Sequence, residues 1–240
     1  MSDTLEEKVE YYFQWFLKQG KDYPKNKLRE ALEYLSYKNV SQMPKTESDT
    51  EPTLYIFRHG QTEDNANFVF SGWRDSPLTE KGEEQASVLA SKLADKKIQM
   101  LISSPQERAI DTMKIAVSQN QDAKSLEIHT DERIKERSYG DLQGKSKLEI
   151  YMEDIETLAN IRRSFDYAVP NGESIKMVCK RVAKFCDEVT PLMKKDNINV
   201  AVSCHGNSIR GFRRYFEKLD DHTTAHVETP LGQDYLAYVV

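Results

Sequence analysis

A chain of 240 residues with 38% hydrophobic and 30% charged side chains has room for one full-sized domain and an appendage, and is too apolar for global disorder. Its net charge of −5 disfavours a broad nucleic-acid surface, and no apolar run approaches the ~20 residues of a membrane-spanning helix. Three cysteines without a C-x-x-C pair, and an acidic N-terminus unlike a secretory signal, lead us to expect a reduced, cytoplasmic protein rather than a disulfide framework or a zinc knuckle.

The first forty residues carry eight of the 23 aromatics. Leu5, Val9, Tyr12 and Phe16 recur at helical spacing, as do Leu28, Ala31, Leu32 and Leu35, with Gly20 and Pro24 between the stripes. This predicts a helical hairpin over 1–40. Its acids and bases nearly cancel, so an anionic membrane is not its expected partner. Residues 41–52, polar with two prolines, read as a linker, and 53–240 as one catalytic domain. In that domain strands are expected at Thr53–Phe57, Ile98–Ile102, Leu126–His129, Ile198–Ser203 and Tyr235–Val240. Helices are expected at Thr79–Asp95, Pro105–Val117, Lys145–Leu158, Glu173–Lys194 with an interruption near Pro191, and Asn207–Leu219. Alternation of strands and helices predicts an α/β fold of three layers, a mostly parallel sheet covered on both faces.

In such a sheet ligands sit beyond the carboxyl ends of the strands. The first strand runs into Arg58-His59-Gly60. The second runs into Ser103-Ser104-Pro105, with Arg108 one turn into the next helix. The Ile198–Ser203 strand runs into Cys204-His205-Gly206-Asn207. Two of five histidines and two arginines thus converge on one edge. Glycine after each histidine lets backbone approach a ligand, and helix N-termini suit an anion. A lone histidine at a strand end is more often structural; the pairing points to a phosphate site. An imidazole among cations stays neutral, and a neutral imidazole nitrogen is a nucleophile for phosphorus.

At these residues the sequence resembles the histidine phosphatase superfamily, through RHGQTEDN at 58–65. SGWRDSPLTEKGEEQA at 71–86, SSPQERAIDT at 103–112, ERSYGDLQGKSK at 136–147, RRSFD at 162–166, GES at 172–174 and CHGNSIRG at 204–211 resemble its cofactor-dependent phosphoglycerate mutase branch. The resemblance runs from about residue 53 to the end. It implies that His59 is phosphorylated and that Arg58, Asn65, Arg108 and His205 hold the transferring phosphoryl group, with Gly206 and Asn207 nearby. It implies Glu136 as general acid and base, Ser71 and Gly72 as substrate contacts, and Tyr139, Lys147, Arg162 and Arg163 as ligands of the carboxylate and second phosphate. The implied cofactor is 2,3-bisphosphoglycerate as phosphoryl donor, with no metal. The implied partner is a small phosphorylated metabolite, not nucleic acid or membrane. A homo-oligomer through the hairpin or the sheet edge stays open.

By itself the run Asp131–Arg137 reads as solvated surface, and Arg162-Arg163 as a helix end facing water. Its place in the pattern gives Glu136 the catalytic reading, and theirs give Arg162 and Arg163 the substrate-clamp reading. Gly140-Asp-Leu-Gln-Gly144-Lys145-Ser146 imitates a P-loop but has three residues between the glycines and no preceding strand. His222 and His226 stand at i, i+4 without an H-E-x-x-H pattern, which favours a structural role over a metal pair.

The expected reaction is interconversion of 3-phosphoglycerate and 2-phosphoglycerate through a phosphohistidine; the alternative is a phosphatase of a small phosphorylated metabolite. Ser138 stands where mutases usually have histidine, and the Tyr167–Asn171 segment is short. The sequence ends ten residues beyond Pro230, where larger mutases carry a mobile tail, so leakage to water is expected unless the hairpin or residues 141–170 cover the site. A non-catalytic module with the hairpin as contact surface is a third reading, which the intact His59, Glu136 and His205 disfavour.

Overall fold

The computed structural model describes residues 4–36 and 43–240. Helices α1 (Leu5–Leu17) and α2 (Lys25–Leu35) form where the apolar stripes predict them, burying Val9, Tyr12 and Phe16 and Leu28, Ala31, Leu32 and Leu35. Thr4 and Glu7 make a capping box that satisfies N-terminal backbone groups of α1. Gly20, at a φ of +74°, and Pro24 turn the chain between the helices. The last part of the expected hairpin, 37–40, and the first of the expected linker, 41–42, lie outside the described residues. Further along that linker, Met43 is buried in the main core. Thr46 N–H donates to Ala237 O at 2.9 Å, and Ala237 N–H to Pro44 O at 3.0 Å.

Five strands, β1 (Thr53–Arg58), β2 (Met100–Ser103), β3 (Ile128–Thr130), β4 (Val200–Cys204) and β5 (Tyr235–Val239), lie in the order β3-β2-β4-β1-β5. The first four run parallel, and β5 pairs antiparallel with β1. The helices that follow are α3 (Glu63–Ala66), α4 (Glu80–Leu93), α5 (Glu107–Ala116), α6 (Lys147–Glu153), α7 (Ile155–Arg163), α8 (Ile175–Asp196), α9 (Gly206–Glu217) and α10 (Asp221–His226).

Strand side chains alternate between faces, and each face has its own cover. Leu54, Ile56, Val200 and Val202 pack with Val182 and Phe185 of α8 and Ile209 and Phe212 of α9. Tyr55, Phe57, Leu101 and Ala201 pack with Leu89 and Leu93 of α4 and Met113 of α5. Full burial of each large apolar side chain contributes roughly 1.5–3 kcal/mol, so these two interfaces hold the three layers together. A third core joins α1 and α2 to Phe68, Phe70, Leu148, Tyr151 and Ile161, beside the sheet's carboxyl edge.

Two helix expectations are corrected. The single helix over Lys145–Leu158 is two helices, because Asp154 ends α6 and caps α7; its Oδ1 accepts from Glu156 N–H and Thr157 N–H at 3.0 and 3.1 Å. The helix over Glu173–Lys194 is not interrupted at Pro191; α8 runs through it. Proline withholds one N–H, and Val189 and Met193, buried on either side, keep the helix seated on the core. The third strand also lies slightly later than expected, at Ile128–Thr130.

Candidate active site

Register brings the two histidines together. Arg58 pairs with Cys204 across β1 and β4, and His59 N–H donates to Cys204 O at 3.1 Å, so His59 and His205 leave adjacent strands side by side. Their ring centroids are 5.0 Å apart. His59 Nδ1 lies 2.7 Å from Gly60 O. A carbonyl can only accept, so Nδ1 bears the hydrogen and Nε2 carries the lone pair. Both imidazoles are buried. Burial first, then the positive charge of Arg108 and Arg58, pushes the His59 pKa well below the usual histidine range; burial and Arg108 do the same to His205. Neither ring nitrogen of His205 has a hydrogen-bond partner among the described residues.

Arg108 is buried on α5, where its guanidinium donates to Arg74 O at 2.8 Å and Gly72 O at 2.9 Å. Gly72, at a φ of +56°, thus contributes its carbonyl to hold an arginine. Thr112, one turn on, donates to Arg108 O and accepts from Gly60 N–H at 3.1 Å, tying α5 to the loop after β1.

Glu136 is buried, not solvated. Its Oε1 accepts from Arg137 N–H at 2.7 Å, Asn207 Nδ2 at 2.9 Å and Asn207 N–H at 3.3 Å, while Gln106 Oε1 accepts its backbone N–H at 2.9 Å. The fully buried Arg137 holds the same loop from behind, donating to the carbonyls of Glu173, Ile161 and Tyr167. Asn207 Nδ2 also reaches Tyr139 Oη at 3.3 Å, and its Oδ1 accepts from Arg210 at 3.2 Å. Tyr139 packs on Phe70, and Lys147 Nζ donates to Val69 O at 2.7 Å.

These groups surround a cleft of about 700 Å³, measured with its open mouth. Arg58, His59, Asn65, Ser71, Arg108, Glu136, Tyr139, Lys147, Arg162, Gly206 and Asn207 all line it. Among the expected site residues, His205 lies beside the His59 ring and outside the cleft lining, Gly72 acts through Arg108, and Arg163 pairs instead with Glu228. Five cationic side chains face two carboxylates in the lining. Arg58 and Arg108 act on the histidines, whereas Arg162 and Glu228, joined by Arg163 from outside the lining, act on Arg210.

Sequence reasoning missed Arg210 and Glu228. Arg210 stands three residues after Asn207 and so on the same helical face, a signal that was available. Burial pushes its pKa down to about 10, which leaves it charged at neutral pH. Burial raises the Glu228 carboxyl, but Arg163 and Arg210 outweigh that and hold it below its usual range. No pattern in the sequence marks it. The glycine after His59 serves another purpose than expected. A Cβ there would stand 2.2 Å from Gly82 O, so Gly60 permits close packing of the loop on α4. A Cβ at Gly206 meets nothing nearer than 3.4 Å.

Two further motifs are tied to backbone. Gly140 opens a 3-10 turn, and Gly144 N–H donates to Phe70 O at 2.8 Å. His226 Nδ1 lies 2.8 Å from His222 O, which commits one ring nitrogen to backbone.

The profile of the histidine phosphatase superfamily (branch 1) matches residues 54–233. The chain belongs to that superfamily. It is 36% identical over 182 residues to the 2,3-bisphosphoglycerate-dependent phosphoglycerate mutase of Cytophaga hutchinsonii, covering 75% of this chain and 84% of that one. It is 31% identical over 209 residues to phosphoglycerate mutase 1 of Saccharomyces cerevisiae, with the same shares covered. Among solved structures it is similar to a phosphoglycerate mutase from Bacillus anthracis, with a TM-score of 0.60 and 25% identity over 80% of this chain and 94% of that one. A mycobacterial glucosyl-3-phosphoglycerate phosphatase superposes with a TM-score of 0.69 at 24% identity, over 78% of this chain and 92% of that one; this likeness shows a shared fold.

Proposed function

We propose that the protein is a 2,3-bisphosphoglycerate-dependent phosphoglycerate mutase that interconverts 3-phosphoglycerate and 2-phosphoglycerate through phosphorylated His59. The observation that carries this reading is the presence of two cationic groups in one cleft, one around His59 and one around Arg210. A phosphatase acting on a substrate whose sole anion is its phosphate would use the first group alone. A small substrate with anions at both ends uses both.

His59 Nε2 presents its lone pair because Nδ1 is committed to Gly60 O and the surrounding charge keeps the ring neutral. Arg58, Asn65, Arg108 and His205 bind the equatorial oxygens of the transferring group, where positioning and positive charge matter most. The unpartnered, buried ring nitrogens of His205 fit an anionic oxygen. Lys147, Arg162 and Arg210 take the substrate's other anion, and planar guanidinium groups suit both carboxylate and phosphate. Glu136, held by Asn207 and Arg137, gives and takes the proton of the substrate hydroxyl. The same two cationic groups fit a bisphosphorylated cofactor, which when bound supplies the phosphoryl group that primes His59.

A phosphatase of a small phosphorylated metabolite is the second reading. Ser138 favours it, because its hydroxyl, where mutases usually have an imidazole, accepts from Gly140 N–H. One assay separates the two. Protein is incubated with 3-phosphoglycerate and catalytic 2,3-bisphosphoglycerate, and 2-phosphoglycerate and free phosphate are measured together. The mutase reading expects isomerisation to exceed phosphate release; the reverse ratio overturns it.

A further inference from the structure

The N-terminal helices lie outside the segment that matches the superfamily, yet their apolar faces are spent on the walls of the cleft. Tyr34 of α2 packs on Tyr151 of α6, centroids 5.3 Å apart, and its ring carries the guanidinium of Arg162, with Cζ 5.3 Å from the centroid. Arg162 lines the cleft. Among the described residues it forms no ion pair, unlike Arg163, which Glu228 neutralises. A carboxylate partner would orient Arg162 and cancel its charge. An aromatic face orients it and leaves the charge for a ligand.

The hairpin grips the neighbouring wall as well. Lys27 Nζ donates to Met152 O at 2.7 Å, satisfying a carbonyl near the end of α6. Lys21 pairs with Glu149 and Glu153 of the same helix. Tyr12 packs on Phe68, centroids 6.0 Å apart. Phe68 has a φ of +55°, a strained conformation for a bulky residue that persists only where its surroundings hold it. That turn sets Lys147, because Phe68 O accepts Lys147 N–H at 2.7 Å and Val69 O accepts its Nζ.

We infer that the N-terminal hairpin is a strut for the anion-binding wall of the cleft, in which Tyr34 is a positioning residue that aims Arg162 without neutralising it. The function follows from geometry. α6 and α7 are two short helices broken at Asp154, and Lys147 and Arg162 stand near opposite ends of the pair. Short helices are marginal without tertiary support. The hairpin core shares Leu148, Tyr151, Leu158 and Ile161 with them and supplies that support. The strut acts on ligand affinity at the second anion and not on the chemistry at His59.

The test uses the full-length protein and two probes. Its choice of 3-phosphoglycerate rests on the proposed function; orthovanadate, a phosphoryl mimic for the His59 group, does not depend on the second anion. In Tyr34→Leu, affinity for 3-phosphoglycerate should fall about three- to tenfold, while vanadate affinity and Tyr34→Phe stay within about twofold of wild type. On an Arg162→Gln background, where only the loosened seat of Lys147 is left to act, Tyr34→Leu should lose most of its effect. Amide exchange over 147–163 should accelerate at least about tenfold in Tyr34→Leu, with β1 and β4 unchanged. Should that variant not fold, Lys27→Met should by itself speed exchange at the end of α6. Equal weakening of both probes, or a full effect of Tyr34→Leu in the Arg162→Gln background, overturns the inference. If wild type binds vanadate but not 3-phosphoglycerate, the proposed substrate fails, and exchange alone decides the strut: unchanged rates over 147–163 sink it.

Discussion

Glu136 is held by neighbours that would accept its amide analogue, which makes it a clean probe of chemistry. In Glu136→Gln the Oε1 atom can still accept from Arg137 and Asn207, so the fold should survive. Loss of the proton-transferring carboxyl should lower turnover at least about a hundredfold, read by steady-state kinetics beside a circular dichroism spectrum. Turnover near that of wild type would return Glu136 to a structural role. His59 and His205 give a second prediction. Their folded pKa values lie well below the ordinary value, so as pH falls through about 6.5 the unfolded chain takes up protons that the folded chain refuses. Stability is fully present above that pH and falls below it, by up to about 1.4 kcal/mol per pH unit for each histidine. Urea titrations between about pH 7 and pH 5.5 should show this slope, and His205→Asn should roughly halve it. A flat profile would mean that the histidines are solvated. The histidines were legible because each follows an apolar strand. Glu136 was legible only through family resemblance, since the charged run around it has the composition of surface, and the role of Arg137 was not legible at all. Contacts remote in sequence take the loop inside, among them those of Arg137 with the carbonyls of Glu173, Ile161 and Tyr167 and of Arg181 with those of Lys135 and Glu136.

Helix α8 and the loop after β1 carry predictions of their own. Pro191 is exposed inside α8, where it withholds an N–H and crowds the carbonyl of Asp187. Pro191→Ala should therefore stabilise the protein by about 1–3 kcal/mol in denaturant unfolding; an unchanged midpoint would show that the helix relaxes around the ring. Gly60→Ala should do the opposite. Its Cβ would meet the Gly82 carbonyl at 2.2 Å, backbone against backbone, so the loop carrying His59 must shift. Overpacking of this kind costs typically about 1–3 kcal/mol, and activity should fall with stability. Normal activity and stability would show slack between β1 and α4. The break at Asp154 left only a weak signal in the sequence, because a single Asp is a candidate cap without being a helix breaker, and its capping of α7 is a contact made in the fold.

The cleft lies between the sheet edge to which we assign the phosphoryl chemistry and the helical wall that we infer the hairpin braces, and deletion should separate these functions. A chain starting at Met43 keeps the pairing of 44–46 with β5 and should still phosphorylate His59, while Phe68, Leu148 and Tyr151 lose their cover. We expect weaker 3-phosphoglycerate binding, lower solubility and a lower unfolding midpoint. A chain starting at Glu51 also loses the buried Met43 and should be less stable still. Wild-type affinity and stability in the shorter chains would show the hairpin to be a passenger. Complete loss of His59 labelling in a folded Met43 start would show that it shapes the phosphoryl site too.

Local pattern in the chain was enough to specify which segments are strands, to within about two residues at their ends, and the hairpin helices, because alternation at period two and apolar stripes at helical period are properties of neighbours. The same holds for the cluster of Arg58, His59, Arg108 and His205, since adjacent parallel strands necessarily deliver their carboxyl ends to one edge. Contacts across long separations decided the rest. Arg163 was spent on Glu228 and Arg162 kept for the cleft, although the two are neighbours in sequence. Tyr34 reached Arg162 across more than a hundred residues, and Gly60 met Gly82 instead of a ligand. Charge and aromaticity can be read from a sequence; which partner satisfies them is set by packing.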